Sequence, residues 1–88
     1  MWTDKQIKGK ILHKLTRAGK FEHSHTAIEH TFKGFPPELK GKVKVLSTDL
    51  VKEGILYVKK TNYGMQVSIN VEKKDAIMEY IDAFLRME

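Results

Sequence analysis

Cysteine is absent from this chain, which excludes disulfides, thiolate zinc sites and cysteine nucleophiles and fits a reducing interior. No apolar run approaches the roughly 18–20 residues that a membrane-spanning helix needs. The opening stretch MWTDKQIKGK lacks the apolar core of a signal peptide. The expected location is therefore cytoplasmic. Glycine-rich phosphate loops are also missing: the glycines stand at helix ends or turns, apart from Gly9 and Gly41, which fall within helical patterns. No serine sits in an elbow motif. Asp75, Glu79 and Asp82 recur at helical intervals, as a solvated face does. No enzyme, cofactor or catalytic residue is expected. Aromatics make up only 9% of residues, and Tyr63 and Tyr57 alone suit a base-stacking platform, which disfavours RNA.

What is present is a one-domain chain, residues 1–88. At this size about 60–65% of the unfolded surface is buried, enough for a core but not for a deep substrate cavity. Apolar residues at 41%, charged residues at 31% and a mean hydropathy of −0.42 describe a soluble protein. The net charge of +5 is unevenly spread. Lys5 to Lys60 holds thirteen Lys/Arg against five Asp/Glu, whereas Val71 to Glu88 holds three against five. A basic body with an acidic end suits phosphate binding. The plain alternative is a lysine-rich solvated surface.

The first helix opens on a capping box, Thr3-Asp4-Lys5-Gln6, with Trp2 and Ile7 as a hydrophobic staple. Ile7, Ile11, Leu12 and Leu15 form its apolar stripe, and Gly19 suits the left-handed position beyond its end. Lys5, Lys8, Lys14 and Arg17 fall on the opposite, solvated face. Lys20-Phe21-Glu22 reads as a very short strand. A second helix is expected over 25–33, capped by Ser24 or Thr26 and stopped by Gly34 and Phe35-Pro36-Pro37. A third is expected over 37–53, with Pro37 at its first position, core residues Leu39, Val43, Leu46 and Leu50, and Gly54 just past its end. Its outward side holds Gly41, Lys44, Val45, Thr48 and Lys52, flanked by Lys40, Lys42 and Ser47. Residues 55–58 and the alternating Met65-Gln66-Val67-Ser68-Ile69-Asn70 read as two strands. Between them Lys59-Lys60-Thr61-Asn62-Tyr63-Gly64 forms a turn in which Asn62 and Gly64 suit positive φ. A last helix is expected from Asn70 as N-cap to about Leu85, with Ile77, Tyr80, Ile81, Phe84 and Leu85 as its apolar face.

Where Gly34-Phe35-Pro36-Pro37 leads into the 39–50 helix, and that helix leaves through Leu50-Val51-Lys52-Glu53-Gly54-Ile55, the chain resembles the winged helix–turn–helix DNA-binding domains of small bacterial and archaeal regulators. The resemblance covers roughly residues 3–70, and the whole string is also similar to a family of small archaeal proteins. It implies an α+β fold: a three-helix core, a β-hairpin wing at 55–70, and here an added C-terminal helix over 71–88. It implies that helix 37–53 enters the major groove with Lys40, Lys42, Lys44, Ser47 and Thr48 facing DNA, while Lys59, Lys60, Asn62 and Tyr63 on the wing meet the backbone. The expected function is non-enzymatic duplex DNA binding by a small transcriptional regulator or chromatin-associated factor. The reading face has no Arg, Asn or Gln for bidentate base contacts, so phosphate contacts should dominate over sequence recognition. The alternative is a winged helix that docks protein in a larger complex, since fold alone does not give function.

His23, His25 and His30 cluster but match no metal-ligand spacing, so no metal site is expected. The last helix either packs on the first or pairs with a symmetry mate. Tyr80, Ile81, Phe84 and Leu85 are the expected homodimer face.

Overall fold

The computed structural model describes residues 1–87. Three α-helices, α1 (Asp4–Arg17), α2 (Lys40–Lys52) and α3 (Lys74–Leu85), pack with a three-stranded antiparallel sheet of β1 (Thr26–Ala27), β2 (Leu56–Thr61) and β3 (Gly64–Ile69). The strand order is β1-β3-β2. This α+β arrangement is compatible with a winged-helix-like layout.

The helix ends follow from their residues. Thr3 Oγ1 accepts the Gln6 N–H at 3.1 Å, and Gln6 Oε1 accepts the Thr3 N–H at 2.9 Å, completing the capping box. At the other end Gly19 takes φ 70. There the Lys20 and Gly19 amides bond back to the carbonyls of Leu15 and Thr16, a Schellman ending. α2 ends in the same way: Gly54 at φ 78 lets the Ile55 and Gly54 amides reach the Leu50 and Val51 carbonyls. Asn70 caps a 3-10 turn, Val71–Lys73, by accepting the Glu72 N–H at 3.0 Å, and α3 follows that turn at Lys74 rather than starting at Asn70.

Four sequence expectations need correction. Residues 25–33 form no α-helix. Thr26 and Ala27 pair with Val67 and Gln66 as β1, and only a five-residue 3-10 turn, Ile28–Phe32, follows. Thr26 puts its hydroxyl 2.7 Å from His30 Nδ1 instead of capping a helix. Thr31 donates its hydroxyl to the Ile28 carbonyl, a local bond that competes with a regular helix. Second, Lys20-Phe21-Glu22 makes one parallel bridge, Phe21 to Ile69, and no strand. Third, the helix expected over 37–53 begins as a 3-10 turn at Pro37–Leu39, and Leu39 is only partly buried. Fourth, the hairpin loop is just Asn62-Tyr63: Lys59, Lys60 and Thr61 lie in β2, and the positive φ falls on Gly64 (121°), not Asn62.

The core joins Ile7, Ile11, Leu12 and Leu15 to Val43, Leu46 and Leu50 and to sheet residues Leu56, Val67 and Ile69. α3 lies against α1 and closes it with Ile77 and Ile81. Three of the four residues expected to face a symmetry mate are occupied within the chain. Ile81 is buried, Phe84 stacks on Trp2 with ring centroids 6.3 Å apart, and Tyr80 donates its hydroxyl to Glu53 at 2.6 Å. Leu85 alone of them stays exposed. Backbone contact drives this arrangement: a Cβ on Gly9 would sit 2.0 Å from the Tyr80 carbonyl oxygen. Gly9→Ala must therefore push α3 off α1. The expected loss is about 1–3 kcal/mol in a chemical unfolding experiment.

Glu53 ties the end of α2 to both other helices, because Lys8 Nζ lies 2.8 Å from its Oε2. Partial burial pushes the Glu53 carboxyl up, but hydrogen bonds from Lys8 and Tyr80 outweigh it and leave it below its ordinary value of 4.5. A carboxyl depressed by folding stabilises above its unfolded value and loses that contribution as pH falls through the folded one. Melting curves from about pH 6 to pH 3 should therefore show an acid-side decline that is shallower in Glu53→Gln than in the parent.

Candidate nucleic-acid interface

The outward side of α2 is set by its buried stripe. Val43, Leu46 and Leu50 point inward, so at about 100° per residue Gly41, Val45, Thr48 and Lys52 form the opposite ridge. Lys40 and Lys44 lie on the flank nearer the hairpin. They share an open surface cleft of about 760 Å³ with Phe32, Lys33, Thr48 and Met65. Lys44 Nζ stands 5.9 Å from the Phe32 ring centroid, within cation–π range. Glu29 is the acidic residue of this lining.

β-Pairing decides which hairpin residues join this face. Lys60 is directly opposite Met65, and directly opposed residues share a sheet face. Met65 lines the cleft, so Lys60 belongs to the α2 side. Lys59 is opposite Gln66 and belongs to the other face. At the tip Thr61 Oγ1 donates to the Gly64 carbonyl at 2.9 Å and accepts the Tyr63 amide at 3.1 Å. These bonds hold the loop and leave the Tyr63 side chain 98% exposed. Asn62 is exposed beside it.

Besides Lys59, two expected DNA-facing residues are placed elsewhere. Ser47 is fully buried, its hydroxyl 3.5 Å from that of Thr31. At about 100° per residue it lies about 40° past Val43, at the edge of the inward stripe, and packing against Thr31 covers it. Lys42 is exposed on the far flank, where its Nζ lies 3.0 Å from Asp4 of α1. Thr48 is on the ridge, but its hydroxyl proton goes to the Lys44 carbonyl at 3.1 Å, so toward a ligand it offers an acceptor.

Sequence reading missed Phe32, Lys33 and Met65. The 25–33 helix expectation hid the first two, and Met65 was visible only as an alternating strand residue. Lys8 and Lys14, expected on the solvated face of the first helix, instead bond to Glu53 and to the His30 segment. Lys14 donates to the His30 carbonyl at 2.8 Å and to the Lys33 carbonyl, and Lys10 donates to the Gly34 carbonyl. Burial, then the charges of Lys10 and Lys33, holds the Lys14 amine below its ordinary value. Two α1 lysines thus satisfy the carbonyls of His30, Lys33 and Gly34 and fix the segment that carries Lys33.

Among the described residues no group of three His, Asp or Glu side chains is placed to hold a metal ion. His25 Nδ1 instead lies 3.1 Å from the His23 carbonyl. Among the described residues no helix is long and apolar enough to cross a membrane. Comparison with family models, with curated proteins and with solved structures finds no match to this chain.

Lys14→Met removes the donor from the His30 and Lys33 carbonyls. Hydrogen exchange at the amides of Thr31 and Phe32 in the 3-10 turn should quicken by about tenfold or more, the equivalent of roughly 1–2 kcal/mol of lost hydrogen bonding. Exchange within α3 serves as the internal control.

Proposed function

We propose that this chain is a winged helix–turn–helix domain that binds duplex DNA without enzymatic chemistry, as a small transcriptional regulator or chromatin-associated factor. The observation that carries the reading is the convergence of Lys33, Lys40 and Lys44 on one cleft between α2 and the hairpin, with Lys60 directly opposite the lining residue Met65. Among the described residues none of these lysines has an ion-pair partner. The acidic residues Glu72, Asp75, Glu79 and Asp82 are gathered around α3, which packs on α1. Such separation of charge gives the molecule one face for a polyanion and one that repels it.

α2 would enter the major groove through its Gly41–Val45–Thr48–Lys52 ridge. Lys40, Lys44 and Lys33 would meet the phosphates of one rim, and Lys60, Asn62 and Tyr63 those beyond it. Lys59 points away from this face and would act through long-range attraction. Without Arg, Asn or Gln on the ridge, affinity would come mainly from phosphate neutralisation.

The exposed apolar residues Val45, Tyr63 and Met65 favour a second reading, a protein-docking winged helix. Salt dependence separates the two. Fluorescence anisotropy of a labelled duplex between about 50 and 200 mM salt should give micromolar-range affinity that falls steeply, because each neutralised phosphate releases counterions. Lys44→Glu with Lys60→Glu should weaken binding about tenfold or more and flatten the salt slope by about two. Ser47→Ala should leave binding unchanged. Undiminished binding by the double variant would place the contact surface elsewhere, and a weak response independent of salt would favour the protein partner.

A further inference from the structure

Val45 stands 59% exposed in the middle of the α2 ridge, while Val43, Leu46 and Leu50 of the same helix are buried. A solvated lysine face gains nothing from a β-branched apolar residue there, which also lowers helix propensity slightly. Gly41, one turn earlier, is exposed as well, and a Cβ on it would meet nothing within 4 Å. Internal packing therefore requires neither residue. Lys40, Lys44 and Lys52 surround them, all exposed. The complement of this ridge is anionic at its rims and apolar at a few points along its floor. The major groove has that chemistry: phosphates line its edges, and each thymine presents a C5-methyl group that apolar side chains contact.

We propose that Val45 reads thymine C5-methyl groups, with the missing Cβ of Gly41 letting the base edges approach the preceding turn, so that the chain favours sites containing A·T pairs. This rests on the duplex-binding reading and supplies the base contact that the lysines do not. It also gives a role to a ridge that lacks Arg, Asn and Gln.

Two A·T-rich duplexes of one sequence, differing only in deoxyuridine for thymidine, isolate the methyl group. The parent chain should bind the thymidine duplex roughly fourfold tighter for each methyl it covers. Val45→Ser should bind the two equally. In a G·C duplex, 5-methylcytosine returns a methyl to the groove and should tighten binding by the parent but not by Val45→Ser. Unchanged melting curves for Val45→Ser, and for Val45→Ala as a second variant, show that the fold is intact. Equal affinity of the parent for both A·T duplexes overturns the methyl contact and leaves duplex binding standing. Discrimination that persists in Val45→Ser assigns the effect to DNA shape and overturns the role of Val45. Binding to neither duplex removes the DNA reading and this inference together.

Discussion

The turn Glu53-Gly54-Ile55 sets α2 against the hairpin, and both halves of the cationic face depend on it. Gly54 reverses the chain at φ 78, a conformation that other residues adopt only under strain. Asn70 then grips the turn from the far end of the hairpin. Its side-chain amide donates to the Gly54 carbonyl at 2.9 Å and its backbone amide to the Ile55 carbonyl at 2.9 Å. The same side chain caps the start of the final helical segment. Glu53, held by Lys8 and Tyr80, fastens the junction to α1 and α3. Hairpin and helix therefore meet as one corner braced from both sides.

The lysines divide into two populations by what they touch. Those of α1 serve the fold: Lys5 and Lys8 pair with Glu79 and Glu53, and Lys10 and Lys14 donate to the carbonyls of His30, Lys33 and Gly34. Those of α2 and the hairpin, apart from Lys42, reach solvent without an ion-pair partner among the described residues. Net charge alone mixes the populations, and only the second forms a field that a polyanion would meet. The burial of Ser47 belongs to the same division. A small hydroxyl at the helix–turn contact lets 28–32 lie close on α2, and this closeness forms the wall of the cleft.

Long periodic elements and their punctuation were legible in the sequence. The Thr3 capping box, the Gly19 and Gly54 endings, the two hairpin strands and the Asn70 cap all rest on local chemistry, and local chemistry decided them. The segment around β1 was not legible. Ile28–Phe32 is too short for periodicity to separate a 3-10 turn from an α-helix. The pairing of Thr26 with Val67 is long-range and leaves no local mark. At the site, the outward ridge of α2 was legible because the helix has a clean inward stripe. The inward turn of Ser47 and the Lys42–Asp4 pair were not, since a flank position lies near the edge of the stripe and tertiary packing settles which way it goes. The same limit applied to α3, whose apolar face suited either a partner or α1. Gly9 decides in favour of α1 by letting the two backbones touch.

The central claim is that duplex DNA lies across the corner made by α2 and the inner face of the hairpin. Two-dimensional amide NMR of isotope-labelled chain, titrated with a short duplex, tests it residue by residue. Shifts concentrated at Lys40–Lys52, Lys60–Tyr63 and Lys33, with α3 unmoved, are the expected result. Shifts confined to α3, or none at millimolar duplex, would contradict it.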